Sequence, residues 1–330
     1  MPLPVHTRTL PSQRRVIIDT DAKNEADDQF AIVHGLLSPS LDVRGIVAAH
    51  FGMRPGRSER SMLDSREEIE LLLDLMGLTG KVRVENGAPY ALPDELTPIL
   101  SPGADLIVEE AMREDEGPLY VAFFGPLTNM AAALLAEPRI AERDVTVVWI
   151  GGPSYGPEPV AAGRPEFNLA NDIVAANVVF ASDLPVWQIP RSTYVMTAVS
   201  YAELDEKVAP CGELGEYLVR QLVEWNAAHA RGPMEYRSLG DSPAIGVLLN
   251  ENCGRIVERP APTFRADGSY DLDRTHRPIR VYETIDSRFL FEDFFAKLRQ
   301  FARTDLRSPR ADGRADSQIP QVDGRTDHQA

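Results

Sequence analysis

The chain has 330 residues, of which 43% are hydrophobic and 25% are charged, so it carries enough apolar material to build a large core. Its formal net charge of -16 argues against nucleic acid or an anionic membrane surface as a partner. The two cysteines, Cys211 and Cys253, form no disulfide framework, and no apolar run approaches the roughly 20 residues of a membrane span. This composition suits a soluble cytoplasmic protein.

Apolar, β-branched runs alternate with helical patterns along most of the chain. Strands are predicted over residues 15–19, 41–49, 81–85, 119–124, 145–150, 186–189 and 279–282. Helices are predicted over residues 27–37, 58–76, 105–113, 127–136, 172–182, 212–231, 241–251 and 289–303. This alternation predicts an α/β fold with a mainly parallel central sheet and helices on both faces.

The two ends of the chain differ in composition from the rest. Residues 1–14 are predicted to be a flexible lead-in. Residues 304–330 are polar and nearly free of large apolar side chains, so they are predicted to be disordered. No long Pro/Gly linker divides the remainder, and a single domain is predicted over residues 15–303.

Five carboxylates lie within ten residues, at the end of the first predicted strand and just after it: Asp19, Asp21, Glu25, Asp27 and Asp28. Side chains this close repel one another unless protons or a metal intervene, and oxygen ligands suit a divalent cation. Asp19 and Asp21, two residues apart on a strand, face the same way. Either Asp27 or Asp28 alone would be an ordinary acid at a helix start. Because ligands of open α/β sheets bind beyond the carboxyl ends of the strands, the whole cluster predicts a metal or sugar-hydroxyl site.

Later segments could add to the same edge of the sheet. Phe124, at the end of a predicted strand, would present its backbone carbonyl there. Glu166 and Asn168 supply hydrogen-bond acceptors and donors after another strand end. Asp241 opens a predicted helix.

Helix capping is the alternative interpretation for several of these residues. Thr128, Asp172 and Asp241 all stand where a predicted helix begins, and such residues commonly cap helices. Taken alone, none of them indicates a functional site.

These segments follow one another in an order that resembles the nucleoside hydrolases, the inosine–uridine-preferring N-ribohydrolase family. The usual signature DxDPGxDDAxAI stands here as DTDAKNEADDQFAI, and GAPYAL looks like the family's GAxxPL. Four further segments follow in family order: GPLTN, a strand ending in Gly-Gly, EFN with a later Asp, and a helix that starts with D-x-P/C-A. The resemblance runs from about residue 15 to about residue 300 and implies a nucleoside hydrolase-like fold.

The resemblance implies Ca²⁺-dependent hydrolysis of the N-glycosidic bond of a ribonucleoside or related N-riboside, which releases ribose and the base. Asp21, Asp28, the carbonyl of Phe124 and Asp241 would hold the ion, and water and two ribose hydroxyls would complete its shell. Asp21 would also be the general base on the calcium-bound water. Family members are commonly dimers or tetramers, so a homodimer or homotetramer is implied.

The resemblance also implies roles toward the sugar. Asp27 would bind a ribose hydroxyl, and the ribose would lie against Asp241. Glu166 and Asn168 would hold the sugar and stabilise the transition state, and Asp19 would support the cluster from behind.

The chain departs from the family pattern in the signature loop and after the second strand. Five residues, Ala22 to Ala26, separate Asp21 from the Asp pair, where the family has three, and the Pro-Gly turn is missing. Lys23 in this loop could reach into the site or point outward. Near the end of the second strand, His50 is the nearest polar residue to the family's sugar-binding Asn, and we include it as a candidate sugar contact.

A further departure concerns the leaving group. Many family members have a His immediately before the late metal-binding Asp, thought to protonate the departing base, and here Gly240 stands in that place. The helix and loop that would cover the base supply other candidates: Trp225, His229, Tyr236 and Arg237.

Two other functions compete with hydrolysis of nucleosides. The missing acid and the altered loop also suit a non-catalytic member that binds ribose or nucleosides. A haloacid-dehalogenase-type phosphatase would use a strand-end DxD as nucleophile and acid around Mg²⁺. The Ala-Lys-Asn that follows Asp21 argues against the phosphatase, which would also leave EFN unexplained.

Overall fold

The structure is a computed structural model and describes residues 13–52, 60–114, 117–156, 165–229 and 232–305. The predicted flexible lead-in and disordered tail lie almost wholly outside these ranges and stay predictions. At the inner ends of these two segments, strand β1 already begins at Arg14 and the last helix continues to Asp305.

Eight of the strands form one central sheet. In chain order the strands are β1 (Arg14–Thr20), β2 (Leu41–Ala48), β3 (Val84–Asn86), β4 (Leu119–Phe123), β5 (Val145–Ile150), β6 (Val186–Ile189), β7 (Ala198–Ser200), β8 (Tyr236–Ser238), β9 (Ile256–Phe264) and β10 (Tyr270–Tyr282). The sheet order is β3-β2-β1-β4-β5-β6-β10-β9, and β7 pairs with β8 separately. Every neighbouring pair in the large sheet is parallel except β10 with β9. The mainly parallel sheet predicted from the sequence is therefore confirmed.

Helices cover both faces of this sheet. They are α1 (Asp28–Leu36), α2 (Ser61–Leu75), α3 (Pro102–Ala111), α4 (Thr128–Ala136), α5 (Phe167–Asn171), α6 (Ile173–Ala181), α7 (Arg191–Tyr194), α8 (Tyr201–Lys207), α9 (Gly212–His229), α10 (Ser242–Leu249) and α11 (Ser287–Asp305). Successive strand residues face opposite sides, so Ile18 packs in a core with α1, α2, α10 and α11, while Ile17 packs in another with α3, α4 and α6. Among the described residues, no helix has the length and apolar character that a bilayer crossing requires.

Most predicted elements agree with the structure to within a few residues, and the clearest failure is the β9–β10 hairpin. Only the end of β10 is predicted, and β9 is missed. The reason is its place at the edge of the sheet, where Pro260, Pro262 and charged residues are tolerated and the apolar pattern is interrupted. The predicted strand 81–85 is also displaced, since β3 spans Val84–Asn86.

The order of the strands determines where the functional residues meet. β1, β4 and β5 are adjacent and parallel, so their carboxyl ends lie side by side. The chain leaves β4 at Phe124, whose backbone N–H donates to the carbonyl of Asp19 on β1 at 2.8 Å. The segments after these three strands therefore share one edge.

Candidate active site

A cleft of about 670 Å³ opens at this edge of the sheet. With the exception of His50, every candidate metal-binding, catalytic or sugar-binding residue lines it: Asp21, Asp27, Asp28, Phe124, Glu166, Asn168 and Asp241. Positions that are more than 200 residues apart in the chain meet here because parallel strands deliver their following loops to the same side.

Three carboxylates come closest together in the cleft. Asp27, Asp28 and Asp241 each offer an oxygen, and these oxygens lie within 4.8 Å of one another. Asp27 and Asp241 precede helices α1 and α10, yet neither side chain caps its helix. Instead, Asp27 accepts a hydrogen bond from the backbone N–H of Gly240 at 2.8 Å. Helix capping therefore does not account for these acids.

The carboxylates of the cleft are buried, and burial makes their negative charges costly. Burial, and after it the charge of Asp27, raises the pKa of Asp28 to about 7. Burial also raises the pKa values of Asp21 and Asp241 well above the usual range, with the neighbouring carboxylates as the next cause. The Thr20 hydroxyl, which donates to Asp28, offsets only part of this effect.

The residues fit a hard divalent cation. Asp21 Oδ2 is buried and accepts no hydrogen bond from any described residue, which leaves it available as a ligand. The donors around it are oxygens, which suit Ca²⁺ or Mg²⁺ rather than softer metals. A cation among these carboxylates would offset both the burial and the mutual repulsion that raise their pKa values.

The closest group of acids differs in one member from the predicted calcium ligands. It contains Asp27, for which the sequence predicts a ribose hydroxyl, in place of Asp21. Asp21 lies in the same cleft and close enough for the charge of Asp28 to raise its pKa, although burial raises it more. Metal binding by Asp21 and by the Phe124 carbonyl stays a prediction.

Glu166 is held by four donors. Its carboxylate accepts from the backbone N–H groups of Gly152 at 2.9 Å, Asn168 at 3.1 Å and Leu169 at 2.9 Å, and from the Tyr194 hydroxyl at 2.9 Å. It thus caps α5 and ties it to the end of β5. Both carboxylate oxygens already have partners within the protein, and the contact with the sugar stays a prediction.

Asn168 joins the ends of two strands. Its Nδ2 donates to the carbonyl oxygens of Phe124 at 2.5 Å and Ile150 at 2.9 Å. This fixes the orientation of the Phe124 carbonyl, which the sequence predicts as a calcium ligand. No described residue donates to Asn168 Oδ1, and the side chain lines the cleft.

His50 does not line the cleft. It is fully buried, and its Nε2 lies 2.9 Å from Thr128 Oγ1, which in turn donates to Asp172 Oδ2 at 2.8 Å. Asp172 caps α6 through Ala175, as predicted. The predicted N-cap role of Thr128 is wrong, because Leu127 precedes α4 and the Thr128 hydroxyl is used by Asp172.

Asp19 lies behind the cleft and not in it. It is fully buried, and its Oδ2 accepts from Asn129 Nδ2 at 2.8 Å. A DxD-type phosphatase would need the first Asp exposed to substrate as the nucleophile, so the position of Asp19 argues against that function.

The unusual loop turns Lys23 away from the cleft. Lys23 Nζ lies 2.7 Å from Glu68 Oε2 of α2, and Glu68 also accepts from Gln29 and Tyr217. Glu25, in contrast, lines the cleft and forms a salt bridge with Arg237. The loop therefore brings a further acid to the cleft and takes the lysine elsewhere.

Three further residues line the cleft that no sequence pattern had indicated. Tyr194, Arg191 and Met234 line the cleft beside the predicted Tyr236 and Arg237. Tyr194 and Arg191 lie on α7, a four-residue helix without a recognisable pattern, so only the β6–β7 connection in three dimensions brings them here. The predicted candidates Trp225 and His229 do not line the cleft.

Comparison with known proteins establishes the family. The model of the family described as inosine-uridine preferring nucleoside hydrolase matches residues 16–292, so the chain belongs to this family of N-glycosyl hydrolases. The pyrimidine-specific ribonucleoside hydrolase RihA of Salmonella schwarzengrund is 30% identical over 255 residues, covering 72% of this chain and 77% of RihA. RihA of Escherichia coli O1:K1 is 31% identical over 188 residues, covering 52% of this chain and 58% of RihA. The chain thus matches little more than half the length of that relative.

A solved structure supports the same fold. The purine-preferring ribonucleoside hydrolase from Gardnerella vaginalis aligns with a TM-score of 0.71 at 21% identity, covering 88% of this chain and 100% of that chain. The predicted nucleoside hydrolase-like fold is confirmed.

Proposed function

We propose that this protein hydrolyses the N-glycosidic bond of a ribonucleoside or related N-riboside in a Ca²⁺-dependent reaction and releases ribose and the base. The observation that carries the proposal is the buried group of Asp27, Asp28 and Asp241, with oxygens within 4.8 Å of one another in the cleft of a nucleoside hydrolase family member. When bound, Ca²⁺ would hold the sugar diol in place and make water more acidic.

The acids of the cleft divide into three roles in this proposal. Asp28, Asp241 and Asp21 hold the cation together with the Phe124 carbonyl. Asp27 accepts a hydrogen bond from a ribose hydroxyl. Asp21 also takes the proton of the attacking water, a role that suits its buried and unpartnered Oδ2.

The surrounding charge suits the transition state of this reaction. Breaking the bond between C1′ and the base nitrogen gives the sugar oxocarbenium character. Buried carboxylates stabilise that positive charge electrostatically without having to reorganise. Asn168 and Glu166 keep the strand ends and α5 in fixed positions around the sugar through the hydrogen bonds described above.

We further infer a cytoplasmic homodimer or homotetramer. Cys211 and Cys253 are free and buried, which is compatible with a reducing compartment. Dimers and tetramers are the common assemblies of the family, and sedimentation of the purified chain would give the oligomeric state.

Ribose release from purified protein tests the proposed reaction. The relatives named above are pyrimidine-specific and purine-preferring, so the panel is uridine, cytidine, inosine, adenosine and guanosine, with calcium present. We expect ribose from at least one nucleoside and a loss of about 10²-fold or more in Asp28→Ala. Asp205→Ala, an exposed acid on α8, is the matched control and should retain wild-type activity.

Two results would count against the proposal. No ribose from any nucleoside of the panel would contradict hydrolysis. Tight nucleoside binding by calorimetry without turnover would favour the non-catalytic binding function instead.

A further inference from the structure

The proposed reaction needs a group that stabilises the departing base, and the structure shows that position 240 cannot readily supply it. A Cβ added at Gly240 would lie 3.1 Å from Asp27 Oδ2 and 3.1 Å from Tyr194 Cδ2. Any side chain there would press on the acid that we assign to a ribose hydroxyl. The stabilising group must therefore come from another part of the cleft.

Several hydrogen-bond donors that line the cleft are already used within the protein. The Tyr194 hydroxyl donates to Glu166 at 2.9 Å, and the Ser238 hydroxyl donates to the Tyr194 carbonyl at 2.8 Å. Asn168 donates to two backbone carbonyls. His229 does not line the cleft, and its Nδ1 lies 2.8 Å from the Trp225 carbonyl.

Four other side chains of the cleft have N–H or O–H groups to spare: Asn24, Arg191, Tyr236 and Arg237, whose guanidinium carries five N–H donors. Tyr236 is 56% exposed at the rim of the cleft. Within the described residues, no hydrogen bond or ion pair holds the side chain of Asn24, Arg191 or Tyr236. Arg237 is different, because several contacts hold it in place.

Contacts on several sides orient the Arg237 guanidinium. Its Cζ lies 4.1 Å from the centroid of the Trp225 ring, its Nη2 pairs with Glu25, and its Nη1 donates to Asn226 Oδ1 at 3.3 Å. The Trp225 indole N–H is itself bonded to the Asn24 carbonyl at 3.3 Å. The Arg237 side chain is only 13% exposed, so this cation is positioned before any ligand arrives.

The Arg237 guanidinium also lies next to the sugar side of the cleft. Arg237 lines the same cleft as Asp27, and Asp27 accepts a hydrogen bond at 2.8 Å from the backbone N–H of Gly240, three residues after Arg237. Asp27 is the acid that we assign to a ribose hydroxyl. A cation beside it would lie near the carbon that carries the base.

We propose that Arg237 is the leaving-group residue, which donates hydrogen bonds to the base and stabilises the negative charge that develops on it. This inference rests on the proposed function. The C1′–N bond breaks and its electron pair goes to the base, while the oxygen of water bonds to C1′ and its proton goes to Asp21. A guanidinium keeps its protons near neutral pH, so the base anion takes its proton from solvent after departure, and Asp21 returns its own proton to solvent.

This assignment connects two departures from the family pattern. Glu25 belongs to the lengthened loop and pairs with Arg237, whose guanidinium also lies over the ring of Trp225 in α9. Glu25 is thus a positioning residue for the guanidinium. The longer loop and the missing histidine at position 240 become parts of one arrangement.

Leaving-group dependence tests the role of Arg237. The bases of uridine and inosine are poor leaving groups unless the negative charge that develops on them is stabilised. The 4-nitrophenolate released from 4-nitrophenyl β-D-ribofuranoside is a good leaving group without such stabilisation. In Arg237→Met, assayed as the full chain with calcium, we expect kcat/KM for the nucleosides to fall about 10²–10³-fold, while the aryl riboside loses less than about tenfold. Arg237→Lys keeps the charge without the planar fork and should fall between Met and wild type on the nucleosides.

The matched control is Arg220→Met. Arg220 is an exposed arginine of α9 whose Cζ also lies over an aromatic ring, 5.8 Å from the Tyr217 centroid, but it does not line the cleft. Both activities should remain at the wild-type level. Retained hydrolysis of the aryl riboside also shows that an Arg237 variant is folded. If Arg237→Met does not fold, the ratio of nucleoside to aryl riboside hydrolysis is measured in Arg237→Lys instead.

The outcomes separate this inference from the proposed function. Equal falls on nucleosides and aryl riboside, or no fall on the nucleosides, would overturn the role of Arg237 and leave the hydrolase intact. If the wild-type protein releases ribose from neither kind of substrate, the proposed function fails, and the inference that rests on it fails as well.

Discussion

Gly125 shows how closely the backbone approaches the acids of the cleft. A Cβ at this position would lie 3.0 Å from Asp21 Cγ and 3.1 Å from its Oδ1. In Gly125→Ala we expect the Asp21 carboxylate to be displaced and kcat/KM for ribose release to fall about 10²-fold, because small misplacements of catalytic groups are costly. Gly117→Ala is the control, since a Cβ there would meet nothing within 4 Å. Wild-type activity in Gly125→Ala would argue that Asp21 is neither ligand nor base.

His50 makes a prediction about stability rather than catalysis. Burial lowers its pKa to about 4, whereas an unfolded chain has the ordinary value of about 6.5. Between these values the unfolded state binds a proton that the folded state excludes, so stability is fully present above pH 6.5 and falls as the pH drops toward 4. Protonation of His50 in the unfolded state thus lowers the free energy of unfolding by about 3 kcal/mol in total.

Urea unfolding at pH 7.5 and pH 4.5 measures this contribution. We expect His50→Gln, which cannot titrate, to lose about 2–3 kcal/mol less than wild type between the two pH values. His276→Gln is the matched control, because His276 also lies beside a threonine hydroxyl, at 3.3 Å from Thr263 Oγ1, but is exposed. Identical pH dependence in His50→Gln and wild type would contradict a neutral buried His50.

At the scale of elements, the lengthened loop of residues 22–26 is fixed at both sides. Lys23 is bound to Glu68 of α2, and Glu25 is bound to Arg237 of β8. Glu68 is 3% exposed and also accepts from Gln29 Nε2 at 3.0 Å and from the Tyr217 hydroxyl. One buried carboxylate therefore joins the loop, α1, α2 and α9.

Removing the Glu68 carboxylate should lower the free energy of unfolding by more than the removal of an exposed carboxylate does. Glu68→Ala leaves the donors of Gln29 and Tyr217 buried without their acceptor, and we expect the free energy of unfolding to fall by about 2–4 kcal/mol. The control is Glu70→Ala on the same helix, an exposed acid paired with Arg66 at 2.8 Å, which should change it by less than about 0.5 kcal/mol. If urea unfolding gives the same loss of free energy for Glu68→Ala and Glu70→Ala, Glu68 does not join the loop, α1, α2 and α9.

The elements also show what local sequence can and cannot decide. Buried parallel strands such as β4 and β5 are continuous apolar runs, and their bounds are predicted to within a residue. The side to which Lys23 turns is not predictable, because it depends on Glu68, 45 residues further along the chain. The same holds for Thr128, whose hydroxyl is used by Asp172 rather than by its own helix.

At the scale of the whole molecule, the meeting of the acids is predictable and their arrangement is not. Parallel strands with their loops at one edge bring Asp21, Asp28 and Asp241 into a single cleft, as the order of motifs predicts. Which oxygens lie closest depends on how α1 and α10 pack, and the closest group contains Asp27 rather than Asp21. The role of Arg237 likewise requires contacts among β8, α9 and the lengthened loop.

Ribose release during a calcium titration is the decisive measurement of whether this protein hydrolyses N-ribosides with Ca²⁺. Wild-type protein is first treated with a chelator, and Ca²⁺ is then added back while ribose released from the nucleoside panel is measured. For Ca²⁺-dependent hydrolysis we expect no ribose after chelation, recovery as one ion per chain is restored, and no recovery in Asp241→Ala. Full ribose release after chelation, or no ribose from any nucleoside at saturating calcium, would contradict it.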